Sequence, residues 1–161
     1  MTHQEYEALV RGMVEELTAH AQSLGQCNVS GGPQNLIAGA SGFRHQIDVA
    51  VQKPSALLLI ECKYWSDPVD VEPVLALASR IADIKECSAA TQVLGSIVST
   101  MQATAGAKVL AAHFGISIDT VANPHEYAVR VFNHVFVGIE ERAHAAATCD
   151  AEVIRGKPND T

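Results

Sequence analysis

The sequence predicts a single α/β domain with a central mixed β-sheet flanked by helices. Three observations point to it. Two strand-like runs flank a proline turn at Lys53-Pro54-Ser55-Ala56, a strand-helix-strand succession occupies residues 92–121, and helical apolar spacing precedes and separates these units. The 161 residues suit one domain with its own hydrophobic core, expected over residues 1–154, and a short polar tail, 155–161, expected to be disordered.

Each element follows from a local pattern. Tyr6, Leu9, Val10, Met13, Val14 and Leu17 recur at three- and four-residue spacing, which predicts an amphipathic helix from about Gln4 to Ser23 that stops at Gly25. Residues 27–41 are rich in Gly, Asn and Ser; Gly31-Gly32-Pro33 suits a turn and Asn35 to Ala38 a short strand. The runs Arg44 to Gln52 and Leu57 to Trp65 read as a β-hairpin, because Pro54 can start a turn but cannot sit centrally in a strand. Pro68 ends the second strand, and Val71, Val74, Leu75, Leu77, Ala78, Ile81 and Ile84 resume helical spacing up to about Lys85.

Gln92 to Ser99 then reads as a strand, Gln102 to Phe114 as an alanine-rich helix closed by Gly115, and Ile116 to Val121 as another strand. Crossovers of this type join parallel strands, so these should extend the sheet begun by the hairpin. The alternation through Tyr127, Val129, Val131, Val135, Val137 and Ile139 predicts a late strand or hairpin, either buried in the monomer or used for self-association.

Composition excludes several classes. Although 48% of residues are hydrophobic, polar residues interrupt every apolar stretch well before the ~20 residues of a membrane span. The first residues carry acid where a secretory signal would carry positive charge, so a cytoplasmic location is expected. Cys27, Cys62, Cys87 and Cys149 form no Cys-x-x-Cys pair and are expected to be reduced and mostly buried; the seven histidines show no zinc-ligand spacing. A net charge of -7 argues against a strong nonspecific grip on nucleic acid, which calls for a basic face.

The hairpin carries the chemistry. With its turn centred between Pro54 and Ser55, Ile47, Val49 and Val51 oppose Cys62, Ile60 and Leu58 on one apolar face, while Gln46 and Asp48 oppose Lys63 and Glu61 on the other. Slipping the register by one residue would bury Asp48 among aliphatic side chains without a partner. Asp48 and Glu61 are thus cross-strand neighbours, with Cβ atoms roughly 4.5–5.5 Å apart. Two carboxylates so close repel, and a hard divalent ion such as Mg²⁺, which accepts one or two carboxylates plus waters and phosphate oxygens, would stabilise them. Lys63 projects from the same face and could orient an attacking water or stabilise charge on a pentacoordinate phosphate. An ordinary surface Glu-x-Lys ion pair, worth at most about 1 kcal/mol, is the competing reading. His45 and Gln46 flank the site and could touch phosphate or water, although a strand-end polar pair is the commoner role of such residues.

The Asp48 and Glu61-Cys62-Lys63 arrangement resembles the signature of the PD-(D/E)XK nuclease superfamily, an Asp on one strand and Glu-x-Lys on the next. Within it, Tyr6-Glu7-Ala8-Leu9-Val10 is similar to the first-helix motif of the Mrr-like restriction endonucleases and archaeal-type Holliday junction resolvases. The segment from Leu94 to Thr100, with the following helix and Gly115-Ile116, looks like their closing unit. The likeness runs from about Glu5 to Val121. It implies a restriction-endonuclease-like core in the order αβββαβ, Mg²⁺ or Mn²⁺ bound by Asp48, Glu61 and the backbone carbonyl of Cys62, and hydrolysis of DNA. In this reading Glu7, preferred to Glu5, is the outlying catalytic acid and Lys63 the water-activating base or charge stabiliser. A homodimer is expected, because one small domain cuts one strand at a time. The alternative is a noncatalytic nuclease-fold subunit that dimerises or docks onto a partner supplying DNA affinity.

Overall fold

The computed structural model describes residues 28–90 and 92–121, together with Gly12 and Glu16, which are helical. The rest of the expected N-terminal helix, including Glu7, lies outside the described residues, as do the expected late strand over 127–139 and the tail 155–161.

From Asn28 on, the described residues form seven strands and two helices in the order β1 (Asn28–Gly31), β2 (Leu36–Ala38), β3 (Arg44–Gln46), β4 (Val49–Gln52), β5 (Ala56–Lys63), α1 (Val71–Lys85), β6 (Gln92–Ser99), α2 (Ala105–Phe114) and β7 (Ile116–Thr120). Five strands make a mixed sheet in the order β1-β4-β5-β6-β7, and β2 pairs with β3 in a separate two-stranded sheet. The β4–β5 hairpin keeps the predicted register, Val49 opposite Ile60 through Gln52 opposite Leu57. Its turn is closed by reciprocal backbone hydrogen bonds between Lys53 and Ala56, at 2.8 and 3.4 Å. β5, β6 and β7 are parallel, as the two crossovers require.

The run Arg44 to Gln52 is not one strand, which corrects the expectation. It breaks at Ile47 and Asp48, so Gln46 pairs with Leu36 rather than facing Lys63, and Lys63 pairs with Ser99. Asn35 holds the break, its carbonyl accepting from the Ile47 N–H at 3.1 Å and its side-chain amide donating to the Ile47 carbonyl at 2.8 Å. The break also changes the side on which Ile47 packs. Instead of joining Val49 and Val51, it enters the cluster of Ala50, Leu57 and Leu59 beneath the helices. Four strands therefore precede β5 where the αβββαβ order has two, because β1 forms in the glycine-rich segment and β3 separates from β4.

Helices α1 and α2 cover one face of the sheet. Val74, Leu77 and Ile84 of α1 and Ala107 and Ala111 of α2 pack with Leu57, Leu59, Val93, Ile97 and Ile116. Two crossovers of the same hand, stepping in one direction along the sheet, place both helices on that face. Thr104 caps α2 by accepting from the Ala107 N–H, and Gly115 ends it with φ 66°, a left-handed conformation suited to glycine. At Gly95 the helix comes so close that a Cβ would stand 2.5 Å from Ile81 Cδ1. The opposite-face residues Val49, Val51, Leu58, Ile60 and Cys62 are buried as well, so β5 is enclosed on both sides. Cys62 is a buried thiol as expected, whereas Cys87, just past α1, is exposed. Among the described residues no helix is long and apolar enough to cross a membrane.

Candidate active site

The carboxyl end of β5 turns polar. Glu61 is the one charged residue in the enclosed stretch of β5, its side chain only 7% exposed. Lys63 emerges two residues later on the same side and places Nζ 3.2 Å from Glu61 Oε2. A pair buried to this degree is not a solvated surface ion pair.

Asp48 lies one residue before the β4–β5 ladder begins. Its carboxylate continues the pairing, Oδ2 accepting from the Cys62 N–H at 2.8 Å, while Oδ1 accepts from Gln46 Nε2 at 3.2 Å. Its backbone carbonyl accepts from the Gly32 N–H at 3.1 Å. Asp48 is thereby held beside Glu61, and the two carboxylates interact. Burial pushes the Glu61 carboxyl above its ordinary value, the Asp48 charge pushes it further, and Lys63 and Arg80 partly offset both.

Arg80 is the functional residue that motif reasoning missed. It projects from α1, donates through Nη1 to Glu61 Oε1, and donates to the Gln46 carbonyl at 3.3 Å. The compensating cations for the two acids are thus protein groups, Arg80 on one Glu61 oxygen and Lys63 on the other. A signal was present. Arg80 stands three residues after Leu77 and four before Ile84, an arginine on the apolar side of an amphipathic helix.

Asp48 and Glu61 are the two carboxylates available here to a divalent cation. Among the described residues no group of three or more His, Cys, Asp and Glu side chains is placed to hold a metal. Two carboxylates nevertheless suffice for Mg²⁺, which keeps waters and takes phosphate oxygens. Asp48 and Glu61 are hard oxygen donors; burial first and the Asp48 charge second raise the Glu61 carboxyl, and an added cation relieves the repulsion between the two acids. The donor set fits, provided Glu61 Oε1 exchanges Arg80 for the ion.

His45 belongs to a different cluster. Its Nε2 lies 2.7 Å from Asp83 Oδ2, which also accepts from the Ser41 hydroxyl at 2.7 Å, and Asp83 Oδ1 accepts from the Ser41 N–H at 2.8 Å. These bonds, His45 foremost, lower the Asp83 carboxyl from 3.8 to about 2. The Ser41 hydroxyl is committed to Asp83 rather than to the imidazole, so the trio is a clamp holding the β2–β3 hairpin to α1. It is not a nucleophilic triad.

No family model matches the chain, and no curated protein matches it. Among solved structures, the chain is similar to a protein of unknown function, AF1548, with TM-score 0.54 and 17% identity over 77% of this chain and 64% of that one. That likeness shows a shared fold. Weaker similarities are to a repair endonuclease from Pyrococcus abyssi, with TM-score 0.45 and 18% identity over 75% of this chain and 48% of that one, and to the MspJI restriction endonuclease in complex with a 27-mer oligonucleotide, with TM-score 0.44 and 16% identity over 90% and 31%. The chain spans less than two thirds of AF1548 and less than half of either endonuclease.

Proposed function

We propose that this chain is a metal-dependent DNA endonuclease that hydrolyses phosphodiester bonds, of the PD-(D/E)XK type and closest in motif to the Mrr-like restriction, defence or repair nucleases. One observation carries the reading: a nearly enclosed Glu61 held against Asp48 at the end of a central strand, with the Lys63 ammonium beside it. Asp48, Glu61 and the Cys62 carbonyl would hold Mg²⁺ or Mn²⁺, which when bound polarises a phosphoryl oxygen and acidifies a water.

The chain's own residues perform the remaining tasks. The Cys62 N–H and Gln46 fix the Asp48 carboxylate, so its position costs no reorganisation when a cation enters. Lys63, 23% exposed, can reach an attacking water and neutralise charge developing on the phosphate. Arg80 pairs with Glu61 Oε1 and is a guanidinium that would also suit a phosphate oxygen. Glu7 would add a further acid from the first helix, a role that rests on motif resemblance alone.

The second reading, a noncatalytic nuclease-fold subunit docking onto a DNA-binding partner, is favoured by the occupation of both Glu61 oxygens by cations and by the net charge of -7. Cleavage separates the two. Plasmid, branched and modified DNA should be cut with Mg²⁺ and not with EDTA, and Asp48→Ala and Lys63→Ala should each lower the rate by about 10²-fold or more. Equal nicking by wild type and both variants would sink the proposal. Duplex cleavage needs two sites, so a homodimer is expected; a monomeric mass by light scattering would contradict it.

A further inference from the structure

Trp65 follows Lys63 by two residues and is 42% exposed, a large apolar surface to leave in water beside a polar site. Its backbone is not loose. Thr100 Oγ1 accepts from the Trp65 N–H at 3.1 Å and donates to the Trp65 carbonyl at 2.9 Å, while the Thr100 N–H donates to the Lys63 carbonyl at 3.1 Å. Thr100, one residue past the end of β6, therefore clamps the backbone on both sides of the exposed ring. A rigid aromatic surface loses little conformational entropy when a ligand stacks on it.

The ring borders a cavity of about 270 Å³ lined by Glu61, Lys63, Trp65, Pro73, Ala76 and Arg80, with Glu72 as the second carboxylate on its wall. The Lys63 ammonium lies 5.4 Å from the Trp65 ring centroid. The cavity thus combines a stacking surface with two cations. It is slightly smaller than the ~300–1,000 Å³ of drug-sized pockets, a size for one nucleotide rather than a larger ligand.

A base inside a continuous duplex has both faces covered by its neighbours and cannot stack on an indole; an unpaired base can. We propose that Trp65 forms a stacking subsite for an unpaired DNA nucleotide, whose phosphate lies toward Lys63 and Arg80. The substrate class is then DNA carrying a single-stranded or unstacked nucleotide at the cleaved position. This deepens the nuclease reading and rests on it for the role of the site in cleavage, but binding at Trp65 is measurable without cleavage.

Trp65 is the chain's single tryptophan, so its fluorescence reports on this site alone. The full chain is titrated in EDTA with a single-stranded oligodeoxynucleotide and with a blunt duplex of the same sequence. The single strand should quench the emission and the duplex should leave it unchanged. By fluorescence anisotropy of labelled oligonucleotide, Trp65→Ala should weaken single-strand binding by about 5- to 150-fold, and Trp65→Phe should restore most of it. Unchanged wild-type emission with single strand, or equal affinity in wild type and Trp65→Ala, would overturn the subsite. Quenching without Mg²⁺-dependent cleavage would keep the subsite and defeat the nuclease reading, whereas cleavage without quenching would do the reverse.

Discussion

Helix α1 presents Arg80 and Asp83 one turn apart, and the two ends of that turn treat carboxylates in opposite ways. At the clamp, Asp83 receives hydrogen bonds from His45 and from the Ser41 hydroxyl and N–H, and its carboxyl falls to about 2. At the other end, Glu61 receives Arg80 and Lys63, yet burial and the Asp48 charge still hold its carboxyl above the ordinary range. The first carboxylate is satisfied by its neighbours and has structural work. The second remains electrostatically crowded after two cations have been placed on it, and such unresolved crowding marks candidate sites.

The largest expected effect divides the two clusters by activity. Lys63→Ala should lower Mg²⁺-dependent cleavage by about 10²-fold or more, whereas Asp83→Asn should cleave at the wild-type rate wherever it is folded. A comparable loss in both would erase the distinction. Next in size is a substitution that strikes their shared support. Gly95→Ala places a methyl 2.5 Å from Ile81 Cδ1, 3.2 Å from Ile116 Cγ1 and 3.3 Å from Leu77 Cδ2, so the Ile81 side chain has to repack between α1 and β6. Overpacking of this kind costs about 1–3 kcal/mol, read as a shift in the urea midpoint. An unchanged midpoint would show that Ile81 swings clear of β6 without cost and that this contact does not seat α1.

The smallest effects are the most discriminating, because their signs oppose. A carboxyl lowered in the folded state stabilises above its unfolded value, 3.8 for Asp83, and that contribution disappears as pH falls through about 2. Asp83→Asn should therefore lower Tm at neutral pH, and the gap from wild type should narrow below pH 3.8 and close toward pH 2. A raised carboxyl does the reverse. Its contribution is complete below the unfolded value and is lost as pH rises through the folded one, so metal-free Glu61→Gln should gain on wild type as pH rises. Thermal melts across this range check both, and parallel curves for the two variants would contradict the contrast.

Much of this arrangement was legible in the residues. The span from Ala56 to Thr120 follows apolar periodicity closely, and the Lys53-Pro54-Ser55-Ala56 turn specified the hairpin register, because any slip would have buried Asp48 without partners. β1 was illegible because, among the described residues, Asn28–Gly31 pairs only with β4 and buries a single apolar side chain, Val29. The break at Ile47 was hidden because Ile47-Asp48-Val49 alternates as a continuing strand would; it depends on Asn35, twelve residues earlier. Asp48, Glu61 and Lys63 could be grouped because a hairpin brings them together locally. Arg80 joins them across 19 residues through a helix packing angle, which a strand pattern does not encode.

The central claim is that Asp48 and Glu61 are crowded in order to accept a cation. Titration of the full chain with Mn²⁺ by isothermal calorimetry tests it directly: wild type should bind with measurable heat, and Asp48→Ala should lose that binding while remaining folded. No heat in wild type, or equal binding in Asp48→Ala, would show that Arg80 and Lys63 are the final partners of these acids and that the site holds no metal.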